Sequence, residues 1–263
     1  MNEILRLIEL IDKKTKLVAM LAPSFPIVYE YPQIVGRLKN LGFAYVVEVA
    51  AGAKKTNEAV LTLLQTNPQS RFITSPCPSL VRLVRTKYRR LLPYLALKAD
   101  SPMVATAKIV NEKYPGHQPV FIGPCIAKKF ESKEDYPDLN ILVLTYKELD
   151  EVFKHFDIAK SASAPNQTFD IIATETRMYP TDGGLTESSG VRRILKDEEV
   201  RIVSGWENCV SALEEFGNNS KIRLLDILFC EGGCINGPGI TSRLTLEERK
   251  KRIMDFRGEN TTA

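Results

Sequence analysis

Four of the five cysteines stand in three short loops rich in glycine and proline, and if their thiols serve one site the fold must bring those loops together. The loops are Thr74-Ser75-Pro76-Cys77-Pro78, Gly123-Pro124-Cys125-Ile126-Ala127-Lys128, and Cys230-Glu231-Gly232-Gly233-Cys234 followed by Ile235-Asn236-Gly237-Pro238-Gly239. Each follows a short apolar run, at residues 71–73, 120–122 and 224–229, so each cysteine should project from the carboxyl end of a strand, where open α/β sheets hold ligands. Cys125 stands 48 residues after Cys77, Cys230 a further 105 on, and Cys234 four after Cys230. A lone cysteine after a strand is usually a small buried hydrophobe, and CxxxC alone reads as a zinc half-site or a redox pair. Structural zinc sites draw on two close ligand pairs, and only one pair is close here. Four thiolates from several directions instead suit a 4Fe-4S cube, with Gly232 and Gly233 letting backbone amides approach inorganic sulfide. A ferredoxin would pack three cysteines into one compact run, which this chain lacks.

Composition narrows the class. With 263 residues and 44% hydrophobic content the chain can bury a sizeable core. No run of eighteen apolar residues exists, and the acidic start Met1-Asn2-Glu3 lacks a signal-peptide layout, so membrane insertion and secretion are not expected and the cytoplasm is the default. An odd cysteine count in a large non-secreted chain argues against a disulfide framework. The net charge of +4 is spread among many acids and gives no nucleic-acid signal.

Along the chain, apolar runs and helical periodicities alternate. Strands are predicted at 16–23, 45–49, 72–73, 120–122, 140–144, 170–173, 201–204 and 224–229. Helices are predicted at 34–41 (closed by Gly42), 59–64, 80–92, 101–113 and 147–156. Residues 160–168 read as a polar loop, and Thr245 with Glu248 forms a capping box ahead of a basic helix at 249–256, after which 258–263 frays. Such alternation favours an α/β fold of mostly parallel sheets covered by helices. We expect a first α/β lobe at 1–105, a second at 106–240, and a C-terminal helix and tail at 241–263.

At the cysteine loops the chain resembles the catalytic domain of the iron-only (FeFe) hydrogenases, whose signature loops read TSCCPxW, MPCxxKxxE and ExMACxxGCxxGG. Here they appear as Thr74 to Leu80, Gly123 to Glu131 and Asp226 to Cys234, in the same order and at matching spacing. The resemblance covers roughly residues 17–240. It implies two α/β lobes, each with a mostly parallel or mixed sheet flanked by helices, and an iron-sulfur cluster in the cleft between them. It implies that Cys77, Cys125, Cys230 and Cys234 hold the 4Fe-4S part of an H-cluster, with Cys234 bridging to a two-iron subcluster carrying CO and cyanide where one is present. Lys128 matches the lysine that pairs with a cyanide, Glu131 the acid that ends that motif, and Ser24, in Ala22-Pro23-Ser24, a residue contacting the other cyanide.

Departures from the family pattern bear on activity. The residue before the first ligand, a proton-relay cysteine in the family, is Pro76, whose side chain neither donates nor accepts a proton. Aligned on Gly52-Ala53-Lys54-Lys55-Thr56, Val60 and Leu63 stand where the family has two proton-path carboxylates, and a register slip would offer Glu58 instead. Met and Trp positions of the family motifs hold Gly123, Leu80 and Leu228, and Met103 replaces a glutamine. The loop motifs resemble the sensory or regulatory branch of the family. The resemblance therefore implies a redox or H2-responsive module with little turnover, served by a separate ferredoxin-like carrier or signalling protein. Two other readings stay open, a slow hydrogenase handling H2 and protons, and a non-catalytic structural or assembly iron-sulfur protein.

Outside the motifs, Cys209 reads as a structural thiol. Arg82, Arg85, Lys87, Arg89 and Arg90 read as a solvated helix face with a second use as a docking patch. His117 and His155 are given no ligand role. Gly183-Gly184-Leu185 resembles a family loop near the cluster, or a plain turn.

Overall fold

The computed structural model describes residues 2–160 and 167–258. Most of the predicted loop at 160–168 and nearly all of the fraying tail lie outside the described residues. In chain order the elements are α1 (Glu3–Asp12), β1 (Leu17–Leu21), α2 (Gln33–Leu41), β2 (Tyr45–Glu48), α3 (Ala50–Thr66), β3 (Phe72–Ile73), α4 (Pro78–Lys87), α5 (Pro102–Lys113), β4 (Gln118–Gly123), α6 (Lys128–Phe130), β5 (Leu142–Thr145), α7 (Tyr146–His155), α8 (Gly184–Ser189), β6 (Val200–Ser204), α9 (Trp206–Asn218), β7 (Leu224–Leu228) and α10 (Leu246–Gly258).

The strands form two sheets, ordered β2-β1-β4-β5 and β3-β7-β6, and every strand pairing in them is parallel. Parallel strands need helical crossovers, which cover both sheet faces, so β1 and β7 are buried at all five positions and carry no polar alternation. The α/β class and helix-flanked parallel sheets expected from the sequence are present.

The sheets do not follow the expected division at 105/106. The first sheet joins β1 and β2 to β4 and β5, and the second joins β3 to β6 and β7, so each takes strands from both sides of that boundary. The cause is connectivity: the chain leaves the first sheet through α3 to lay down β3, returns through α5 for β4, and leaves again for β6. The C-terminal helix is not separate either, since Phe256 of α10 packs edge-on against Phe25 at 4.9 Å in the core of the first sheet.

Three local differences have physical causes. Helix α3 begins nine residues before its predicted start, because its first turns bury Ala50, Gly52, Ala53, Thr56 and Asn57 instead of large apolar residues. Their smallness permits close packing: a Cβ on Gly52 would lie 2.2 Å from the Pro102 carbonyl oxygen of α5. The predicted strand at 170–173 is reduced to one bridge between Ile171 and Val47. The helix predicted at 80–92 stops at Lys87 and continues as a tighter turn over Arg89–Tyr94, which contains Pro93.

Candidate metal centre

The first and third cysteine loops leave neighbouring strands, because β3 pairs with β7 through Phe72 opposite Leu224 and Ile73 opposite Leu225. Thr74 seals that junction, its N–H donating to the Leu225 carbonyl at 3.0 Å and its hydroxyl accepting from the Ile227 N–H at 3.2 Å. Cys77 then caps α4, with Pro78 as the first helical residue, where a missing N–H costs nothing.

The second loop leaves β4 in the other sheet and meets the third directly. The Gly239 N–H donates to the Pro124 carbonyl at 2.8 Å, and a Cβ on Gly237 would stand 2.7 Å from Pro124. The third loop is held on its other side by Gly233, at φ +98°, where a side chain would lie 2.5 Å from the Pro180 carbonyl oxygen. Only glycine supplies both that φ and that clearance. A bridge between Gly233 and Thr181 fixes the Gly183-Gly184 loop beside the cysteines, and Asp226 of β7 anchors α8 by accepting from the Thr186 N–H and hydroxyl.

All four loop thiols are unpaired with one another as disulfides, and Cys77 is buried. Burial first, then the charge of Cys77, raises the Cys125 thiol. Burial and the charges of Cys77 and Cys125 push Cys230 up to about 12, and burial with the charges of all three others raises the Cys234 thiol well above its ordinary value. Cys125, Cys230 and Cys234 are thus each raised by burial and by neighbouring cysteines of the other loops. Ionising them together requires a cation to offset the repulsion, and the irons of a cluster supply one. Among the described residues no three His, Cys, Asp or Glu side chains converge on a point for a single metal ion. A cube takes one thiolate per iron at separate corners, a donor set that four cysteines delivered by three glycine-walled loops suit.

Lys128 and Glu131 are both buried, at 8% and 6% exposure. The Lys128 ammonium donates to Glu131 Oε2 at 2.6 Å and to the Pro76 carbonyl at 3.0 Å, tying the second loop to the first. Ser24 is fully buried, and its Oγ lies 2.8 Å from the Tyr146 hydroxyl, which donates to the Ala22 carbonyl at 3.0 Å. Ser24, Pro76, Cys125, Lys128, Cys234 and Tyr179 border a cavity of about 60 Å3. That space holds a few water-sized groups.

Two residues at this site, one behind Ser24 and one on the cavity wall, escaped the sequence reading. Tyr146 directs Ser24 yet lies in an ordinary capped helix start, where no pattern marks it. Tyr179, whose hydroxyl is buried, sits five residues before Gly184, so the glycine pair signalled its loop but not its side chain.

Other residues lie away from the site or serve packing. Glu58 is exposed and ion-paired with Lys55 at 2.9 Å, while Val60 is buried in an apolar cluster. Arg82 and Arg85 pair with Glu134 and Asp135, which removes two charges from the basic run. His117 packs on Tyr45, and His155 on Phe156. Cys209 is fully buried on α9 and its thiol contacts the Leu228 carbonyl at 3.4 Å; burial and the charges of Cys77 and Cys230 push it up to about 12.

Residues 15–238 match the family described as iron only hydrogenase large subunit, C-terminal domain, and the chain belongs to that family. Among curated relatives it is 24% identical over 259 residues to Iron hydrogenase 1 of Clostridium pasteurianum, covering 79% of this chain and 45% of the relative. It is 23% identical over 190 residues to the cytosolic Fe-S cluster assembly factor NAR1 of Encephalitozoon cuniculi, covering 65% and 52%. The chain thus spans about half the length of the curated relatives it matches. In fold it is similar to a variant of the FeFe-hydrogenase HydA1 from Chlamydomonas reinhardtii, with TM-score 0.75, 17% identity, and coverage of 99% of this chain and 89% of that one. A structure describing modification of the H cluster 2Fe subcluster in an FeFe-hydrogenase aligns with TM-score 0.74 and 16% identity, over 98% and 89%.

Proposed function

We infer that this domain holds a 4Fe-4S cluster on Cys77, Cys125, Cys230 and Cys234 and works as a redox or H2-responsive regulatory module with little turnover. The observation that carries this reading is the meeting of the three cysteine loops, the first and third on paired strands, the second tied to the third by the Gly239 N–H on the Pro124 carbonyl and to the first by Lys128 on the Pro76 carbonyl. A cluster of this type supplies one-electron redox chemistry. The residues of the chain do the rest. The four thiolates hold it, Lys128 offsets its negative charge, and the apolar walls around Cys77 keep water away.

Low turnover follows from Pro76. Its side chain cannot carry a proton, and its carbonyl is taken up by Lys128. With Glu58 exposed and Val60 apolar, no acid of α3 takes over the relay. Electrons would come from a separate ferredoxin-like carrier or signalling protein. Ile126 and Phe130, 47% and 48% exposed beside Cys125, offer such a partner an apolar contact near the cluster. No helix of the described residues is long and apolar enough to cross a membrane, and we assign the domain to the cytoplasm.

A second reading, a slow hydrogenase, is favoured by the cavity next to Cys234, where Ser24 and Lys128 stand ready for the ligands of a two-iron subcluster. A third, an assembly or structural role, is favoured by the likeness to NAR1. One experiment ranks them. The protein is reconstituted with iron and sulfide, reduced and read by electron paramagnetic resonance, then offered a synthetic two-iron subcluster and read by infrared absorption and H2 turnover. We expect a reduced 4Fe-4S signal, and CO and cyanide bands with little turnover. Rapid turnover would favour the hydrogenase, and absence of bands the third reading. Absence of any cluster signal would overturn all three.

A further inference from the structure

Away from the cysteine loops, a cavity of about 930 Å3 opens between α2, α7 and the segment leading into α2. Its volume falls in the range of small-molecule sites, roughly 300–1,000 Å3. Tyr29, Gln33, Arg37, Asp150, Phe153 and Lys154 line it.

Arg37 is the anomaly. It is 7% exposed, and among the described residues no carboxylate pairs with it and no hydrogen bond engages its guanidinium. Asp150, whose charge it feels, receives the Tyr29 hydroxyl at 3.0 Å. A cation largely taken out of water is expensive to hold, and natural folds give such a group an anion in direct contact, whereas Asp150 acts on Arg37 from beyond ion-pair distance. The guanidinium is instead clamped as a plane, its Cζ 3.8 Å over the Phe153 ring and 5.8 Å over that of Tyr29. That clamp fixes the direction of a donor fork suited to a carboxylate or phosphate. Gln33, on the same wall, has a buried Oε1 with no hydrogen-bond partner among the described residues. A donor fork without a hydrogen-bond acceptor among the described residues therefore borders this cavity.

We propose that this cavity binds a small metabolite whose carboxylate or phosphate seats on Arg37. The site shares no residue with the cysteine loops, so it stands whether or not they hold a cluster. A stacked arginine serving packing alone would be needed for stability. An arginine kept for an absent anion is instead a stability cost that function retains.

The test uses the full chain at constant ionic strength. Calorimetry is run with inorganic phosphate, glycerol 3-phosphate and malate against a chloride control, and thermal unfolding is followed without ligand. Binding of glycerol 3-phosphate above phosphate alone would identify a phosphate ligand, and binding of malate a carboxylate ligand. Arg37→Met should abolish binding while unfolding at or above the wild-type temperature. Arg37→Lys, which keeps the charge and loses the fork, should bind at least about tenfold more weakly. No binding by any of the three probes, binding undiminished in Arg37→Met, or an Arg37→Met protein that melts well below wild type would each overturn the proposal.

Discussion

Lys128 lies buried where two cysteine loops meet, and its charge is balanced by Glu131 at 2.6 Å. Burying two ions is repaid only while both are present. Glu131→Gln leaves an uncompensated ammonium, and the cluster-free protein should lose about 3 kcal/mol in denaturant unfolding. With a cluster bound, its negative charge takes over part of the balancing, so the loss should shrink. An equal loss in both forms would show that Lys128 does not face the cluster. At this scale the sequence was informative where chemistry is tied to a motif. The four cysteines, Lys128 and Pro76 could all be named from three short loops. Tyr146, Tyr179 and Arg37 could not, because each matters through a neighbour far away in sequence.

Among the elements, α3 and α5 set the spacing behind the first sheet, and they touch at Gly52. A methyl group there would stand 2.2 Å from the Pro102 carbonyl oxygen and 2.6 Å from the Thr106 nitrogen, both backbone atoms that cannot step aside. Gly52→Ala should therefore destabilise by about 2–3 kcal/mol despite the better helix propensity of alanine, read as a lower urea midpoint at unchanged slope. A gain in stability would mean that the helices are further apart. The same contact explains what the sequence concealed. Strands such as β1 announce themselves by continuous apolar runs, and α7 by its stripe of Leu149, Val152 and Phe153. The start of α3 buries small and polar residues, which leave no periodic signal. Strand order was illegible for another reason, because pairing is decided by crossovers that local pattern does not encode.

For the molecule as a whole, distant segments are locked by buried charge as well as by apolar packing. Arg177 donates to both oxygens of Glu48 on β2 and to the Phe256 carbonyl of α10, uniting the first sheet, the 174–177 turn and the C-terminal helix. Burial raises the Glu48 carboxyl even against Arg177. A carboxyl raised in the fold favours folding while it is protonated, and that contribution is lost as pH rises. In Arg177→Met the raising cause is unopposed. That variant should lose about 3–5 kcal/mol at neutral pH, and part should return as the solution is acidified toward pH ~4.5. A deficit independent of pH would place its origin in packing alone.

The two sheets meet at the cysteine loops, and on the proposed function the four thiols of those loops serve one cluster while Cys209 on α9 does not. Its most direct test is the iron and acid-labile sulfide content of the reconstituted protein and of single alanine variants at Cys77, Cys125, Cys230, Cys234 and Cys209. About four irons and four sulfides per chain are expected. A large loss is expected in each of the first four variants, and full retention in Cys209→Ala. Unchanged iron in Cys77→Ala, or a loss in Cys209→Ala as deep as in the others, would contradict that proposal.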